Sequence, residues 1–348
     1  MDGRYDPIDS PDETTVFPYH DLTPPSTADV IRARQVVDRH LPETPLVRSE
    51  HLSAVLDADV YLKREDTLPT GAFKVRGGVN LVASLPEEFH EQGLIAASSG
   101  NHGQSIAWAG RAFDVPVTIA VPEGTNAGKV AAMEQFGAEV ISHGPDYDAA
   151  REHIESMAAE TGRRYVHSGN EPKLLAGVGT AGLEIVETLP DVDRLFCPVG
   201  GGTSAAGYCL TVGALTDADV VGVQSAAAPA MHRAYHEDTL EPHDRMETRA
   251  EGVATRVPFA LTMGILRFPT RLGGRHRRRR GPSVHRGANR HGGGLCDERG
   301  RRTRCGRGYR RRNSRYPRLR AEYRPRETPV PLSGLRPCGV NTAGKRCS

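Results

Sequence analysis

No stretch of this 348-residue sequence approaches the roughly 20 consecutive apolar residues that a membrane-spanning helix needs. The opening Met1-Asp2-Gly3-Arg4-Tyr5-Asp6 is polar and acidic, unlike the basic start and apolar core of a signal peptide. Cysteine is scarce where a core could form: Cys197 and Cys209 fall within the first 270 residues, and Cys296, Cys305, Cys338 and Cys347 lie beyond. No Cys-x-x-Cys spacing occurs, which argues against a cysteine zinc site, and no metal is expected. Two cysteines give no disulfide framework, so a reducing, cytoplasmic setting is expected.

Charge of one sign is missing from each part of the chain in turn. Residues 1–270 hold 21 Lys and Arg against 39 Asp and Glu, a net −18. Residues 271–348 hold 24 against 4, a net +20, so the overall +2 is a cancellation. The acidic body has a well-solvated surface and none of the basic excess of a nucleic-acid binder. The basic end, with 23 Arg and 13 Gly and no apolar stripe at either period, is not expected to build a core.

What the body does contain is a regular alternation. After a loose arm over residues 1–24, Ser26-Thr27-Ala28-Asp29 starts a helix whose apolar face is expected at Ile31, Val36 and Val37. Thr44-Pro45-Leu46-Val47 breaks it. A short helix over 49–56 leads to a strand at 60–62, and helical spacing resumes after Lys74. Strand runs follow at 94–97, 117–121, 140–141, 165–166, 195–197 and 220–223. Helical stretches at about 101–113, 126–136, 147–161, 172–188 and 204–214 separate them. Strands alternating with helices predict an α/β fold with a mostly parallel, doubly wound sheet. Ligands of such folds sit beyond the carboxyl ends of strands, on loops entering helices.

Three such loops carry chemistry. Lys74 follows Phe73 where a helix should begin, so packing rather than water should hold it; a lysine so placed can act as nucleophile or base. Ser98-Ser99-Gly100-Asn101-His102-Gly103-Gln104 opens a helix directly after a strand, where backbone N–H groups favour a carboxylate. Pro198-Val199-Gly200-Gly201-Gly202-Thr203 also enters a helix, and its glycines let amides close around a phosphate. That loop is neither a Walker loop nor GxGxxG. Taken singly, each has a plain structural reading: a snorkelling lysine, an N-cap, a tight bend. Together they suit a phosphorylated aldehyde cofactor and an amino-acid substrate, with Lys74 carrying the aldehyde as a Schiff base.

Leu62-Lys63-Arg64-Glu65-Asp66 with Pro69-Thr70-Gly71-Ala72-Phe73-Lys74-Val75-Arg76-Gly77 resembles the cofactor site of threonine ammonia-lyases (threonine dehydratases). The Ser98–Gln104 and Pro198–Gly202 segments match the same family in order. Ala250-Glu251-Gly252-Val253-Ala254 and Pro258-Phe259 look like its later segment, so the resemblance runs from about 25 to about 268. Serine racemase, serine dehydratase, threonine synthase and cysteine synthase share the fold type.

The resemblance implies a fold-type-II (tryptophan-synthase-β-like) enzyme of two doubly wound open-sheet domains. A large domain would take 25–92 plus 171–268, and a small inserted one 93–170. It implies pyridoxal 5'-phosphate as cofactor. Lys74 would hold it covalently, and Phe73 would pack on it. Asn101 would bond its 3′ oxygen, and Gly200, Gly201, Gly202 and Thr203 would hold its phosphate. Gly252 would lie near its ring. Ser98, Ser99, Gly100, Asn101 and His102 would receive the substrate carboxylate. The implied reaction converts L-threonine or L-serine to a 2-oxo acid and ammonia, with Lys74 moving the α-proton; family members usually form dimers or tetramers.

Ser99 permits the second acid–base role it has in serine racemases, making racemisation the alternative. Gln224, Ala228 and Ala230 lack the carboxylates of the racemase metal site. The sequence departs from the family after about residue 267: Ser333-Gly334-Leu335 stands in place of a Ser-Gly-Gly-Asn segment. Residues 269–348 read better as a reading-frame shift than as a nucleic-acid-binding arm.

Overall fold

The computed structural model describes residues 22–243 and 246–267, and the backbone of 283–287. Helix α1 (Thr27–His40) starts on a capping box: the Ser26 hydroxyl accepts from the Asp29 amide at 3.3 Å, and the Asp29 carboxylate accepts from the Ser26 amide at 2.8 Å. The Ser26 hydroxyl bond holds the Asp29 carboxyl down to about 2, against partial burial. The face that packs inward is Val30, Ala33 and Val37. Ile31, expected on that face, is exposed, one residue off the stripe of 3.6-residue spacing.

Strands β1 (Leu46–Arg48) and β2 (Tyr61–Lys63) pair antiparallel around helix α2 (Glu50–Leu56). β1 lies where the sequence suggested only a break, because a three-residue strand needs a partner more than a pattern. Helix α3 (Lys74–Val82) begins at the lysine itself and is buried from Val75 to Val82. Helix α4 (Glu87–Gln92) ends at Gly93.

The alternation then runs as expected: β3 (Leu94–Ala97), α5 (Asn101–Ala112), β4 (Val117–Val121), α6 (Ala127–Gln135), β5 (Glu139–Ser142), α7 (Tyr147–Thr161), β6 (Arg164–Tyr165) and α8 (Pro172–Thr188). It continues through β7 (Arg194–Pro198), α9 (Thr203–Leu210), α10 (Val212–Leu215), β8 (Asp219–Ser225), α11 (Ala230–Glu237), α12 (Ala260–Arg267) and β9 (Ser283–Gly287). The single helix expected over 204–214 is two, broken at Thr211, whose backbone leaves helical space at φ −123° and ψ −81°.

One parallel sheet has the order β5-β4-β3-β6 and another the order β7-β8-β9. β9 departs from the expectation for the basic end. Its pairing with β8 needs only main-chain groups, which an arginine-rich sequence also supplies. The remainder of residues 269–348, and with it the frame-shift and nucleic-acid readings, lies outside the described residues.

Helix α3 packs against α5 and α8 through glycines. A Cβ on Gly77 would come within 2.8 Å of the Leu174 carbonyl, on Gly78 within 2.7 Å of the Ser105 carbonyl, and on Gly177 within 2.4 Å of the Arg76 carbonyl. The Gly177, Gly179 and Gly182 spacing imitates a dinucleotide fingerprint, but it sits inside α8 and lets α3 and α9 approach. This contact fixes the start of α3, and so Lys74, against the loop that opens α9.

Candidate active site

Lys74 is the first residue of α3, and its neighbour Phe73 precedes the helix with its ring centroid 5.4 Å from the ammonium. The Nζ lies 3.4 Å from the Thr203 hydroxyl, at the first turn of α9. A cavity with room for about one water is lined by Lys74, His102, Ser168, Leu174, Val178 and Thr203. Among the described residues no carboxylate pairs with Lys74. Burial alone pushes its pKa from 10.5 down to about 8, so near neutral pH a useful fraction is free amine. Lys74 as a whole residue is half-buried.

Gly200, Gly201 and Gly202 lead from β7 into α9. Gly202 holds φ +85°, a left-handed conformation that favours glycine. A Cβ on Gly200 would meet the Gly252 carbonyl at 3.1 Å, placing Gly252 against the loop. A Cβ on Gly201 would strike the Phe259 ring at 2.1 Å. The loop therefore presents backbone amides, with a hydroxyl at Thr203 and a helix N-terminus behind them, a donor set for a phosphate. With an amine that has no counter-ion among the described residues 3.4 Å from that hydroxyl, the residues present fit a phosphorylated aldehyde.

The loop between β3 and α5 contributes differently from its parts. The Ser98 hydroxyl accepts from the Gly100 amide at 3.2 Å, shaping the turn. His102 is buried, and its Nε2 donates to the Val166 carbonyl at 3.0 Å. Burial, then the nearby Lys74 charge, lowers its pKa to about 3, so it stays neutral. Ser99 and Asn101 make no side-chain hydrogen bond among the described residues, and Asn101 is exposed.

Sequence reasoning missed the charge network beneath the site. Arg76 is fully buried and donates its Nε to Glu65 Oε2 at 2.8 Å and its Nη1 to Glu184 Oε1 at 2.5 Å. Its Nη2 reaches Glu65 Oε1 at 3.0 Å and Glu184 Oε2 at 2.9 Å. Lys63 donates to Glu184 at 2.5 Å and to the Thr44 carbonyl at 2.6 Å. Burial raises the Glu184 pKa, but the Arg76 and Lys63 bonds outweigh it and hold the carboxyl below its ordinary value. Two cations and two carboxylates thus close on one another without net charge. Half of the Lys63-Arg64-Glu65-Asp66 tetrad serves this network; Arg64 and Asp66 pair with each other at the surface. Only Glu184, 108 residues from Arg76 in sequence, had no local signal.

His167 was also missed. Its Nδ1 accepts from the Gly169 and Asn170 amides at 3.0 and 2.9 Å, shaping the turn that carries Ser168 into the Lys74 cavity.

An amine of lowered basicity and a glycine-rich helix start, on two loops of a parallel α/β fold, suit a phosphate-bearing carbonyl cofactor. The family model described as "Pyridoxal-phosphate dependent enzyme" matches residues 37–274. The chain belongs to that family. It is 36% identical over 240 residues to an L-threonine ammonia-lyase of Thermotoga maritima, covering 69% of this chain and 60% of that protein. A solved threonine deaminase from T.th. is 30% identical with a TM-score of 0.69, covering 76% of this chain and 83% of that one. The serine racemase of Dictyostelium discoideum is 26% identical with a TM-score of 0.68, over 76% and 82%. The chain thus spans about 60% of the length of the Thermotoga relative.

Proposed function

We propose that this chain dehydrates and deaminates L-threonine, and L-serine, to a 2-oxo acid and ammonia. The observation that carries the reading is Lys74: a desolvated amine without a carboxylate partner among the described residues, 3.4 Å from the Thr203 hydroxyl that ends the glycine loop. Bound pyridoxal phosphate supplies an aldehyde for amines and an electron sink for charge at the substrate α-carbon. Gly200, Gly201, Gly202 and Thr203 would hold its phosphate. Phe73, Asn101 and Gly252 would line the rest of it, and Lys74 would anchor it. With the cofactor in place, Lys74 would take the substrate α-proton at Nζ, a role suited to an amine whose pKa burial lowers to about 8. The Ser98–His102 loop orients the substrate carboxylate with its backbone amides and with Ser99 and Asn101. Neutral His102 braces the loop through the Val166 carbonyl.

The same reading takes 93–170 as a small domain inserted in a large one of 25–92 plus 171–268. In its support, β3 to β6 form one sheet and β7 to β9 another. Two buried free thiols, Cys197 and Cys209, support a reducing cytoplasm. The relatives' printed names support threonine as substrate.

Racemisation of serine is the second reading, favoured by Ser99 and by the likeness to the Dictyostelium enzyme. Against it, Gln224 is buried and its Oε1 accepts from the His232 amide at 2.8 Å, so no carboxylate stands there. The test is the full chain with added cofactor and L-threonine or L-serine. A 2-oxo acid formed by the wild type and lost in Lys74→Ala supports the reading. D-serine without 2-oxo acid supports the racemase, and neither product sinks both.

A further inference from the structure

The glycine cradle has a rear wall that neither the lysine nor the glycines account for. Thr262 on α12 is fully buried, and its hydroxyl lies 2.8 Å from the Gly201 carbonyl and 3.1 Å from the Phe259 carbonyl. It has one proton to give. The Phe259 carbonyl already accepts from the Met263 amide at 2.9 Å, and the Gly201 carbonyl is the nearer acceptor.

The helix that carries Thr262 is itself pinned. The Leu261 amide donates to the buried Asn170 Oδ1 at 3.1 Å, and the Phe259 ring lies where a Cβ on either Gly169 or Gly201 would come within 2.1 Å. Behind Gly202, an added Cβ would meet Met231 at 2.8 Å and the Thr262 hydroxyl at 3.3 Å.

A trans peptide sets its C=O and the following N–H on opposite sides. Holding the Gly201 carbonyl toward α12 therefore turns the Gly202 N–H away from α12. We propose that Thr262 is a positioning residue for phosphate recognition: its bond to the Gly201 carbonyl aims the Gly202 amide at the phosphate of the bound cofactor. The inference rests on reading residues 200–203 as that cradle. Without the bond the Gly201 carbonyl is no longer held toward α12, and the aim of the Gly202 amide is loosened.

The experiment compares pyridoxal phosphate with pyridoxal, which lacks the phosphate, by titrating the full chain and following the cofactor absorbance band. Thr262→Val removes the hydroxyl at nearly constant volume. It should weaken pyridoxal phosphate about tenfold and leave pyridoxal unchanged, while Thr262→Ser, which keeps the hydroxyl, should match the wild type. A purely structural role would weaken both compounds alike. That outcome, or unchanged binding of both, overturns the inference. If the valine variant does not fold, Thr262→Ala poses the same question with a smaller side chain. Failure of the wild type itself to bind pyridoxal phosphate overturns the underlying cofactor reading instead, so the two failures are distinct.

Discussion

Lys74 and Arg76 sit two residues apart at the start of α3, and the fold treats their charges in opposite ways. Arg76 is surrounded by Glu65, Glu184, Thr44 and Thr180, all within hydrogen-bonding distance. Lys74 is given one hydroxyl at 3.4 Å and an aromatic ring. Burial works against the charge of both. At Arg76 the carboxylates outweigh it and raise the pKa; at Lys74 nothing offsets it and the pKa falls to about 8. A paired cation is fixed and inert, whereas an unpaired one is ready to give up its proton. The first anchors the helix on which the second sits.

The largest effect is expected at Arg76. Arg76→Met leaves Glu65 and Glu184 without their main partner, and stability should fall by about 3–5 kcal/mol, the usual penalty for an orphaned buried charge. Urea unfolding measures it, and a loss below about 1 kcal/mol would mean that the network is not load-sharing at all. Glu184→Gln should lose less, about 2–3 kcal/mol, because Arg76 keeps Glu65 and Lys63 keeps the Thr44 carbonyl.

Lys74 should show the opposite sign. In the cofactor-free protein, Lys74→Met removes a desolvated ammonium and should raise stability at pH 7 by about 1–3 kcal/mol. The pH dependence follows from a folded pKa near 8 below the ordinary 10.5. Between those values the unfolded chain binds more protons, so wild-type stability rises with pH through that window. The advantage of Lys74→Met should shrink over the same window and be gone above it, as measured by denaturation at pH 7 and at pH 10.5. The smallest effect belongs to the exposed Arg48–Asp59 pair at 2.9 Å, where Asp59→Asn should leave the urea midpoint unchanged within error.

How much of this was legible in the sequence depends on the range of the interaction. The β3–α8 alternation reads directly because apolar runs and caps are local, as Ser26 with Asp29 shows. The three loops were legible because lysine, glycine and asparagine sit at strand-to-helix junctions. β1 was not, since its only support is a partner strand. β9 was not, since main-chain pairing leaves no mark on side-chain pattern. The contacts of Arg76 with Glu184 and of Thr262 with Gly201 span 108 and 61 residues, distances at which periodicity carries no information. Ile31 shows a subtler failure: an apolar residue next to the stripe reads as part of it.

The central claim is that Lys74, among the five lysines Lys63, Lys74, Lys129, Lys173 and Lys345, is the amine that takes the cofactor. Incubating the full chain with pyridoxal phosphate, reducing with borohydride and mapping the modified peptide by mass spectrometry tests it directly. A single stoichiometric label is expected on Lys74, absent from Lys74→Ala. A label on Lys129 or Lys173 with Lys74 unmodified would contradict it.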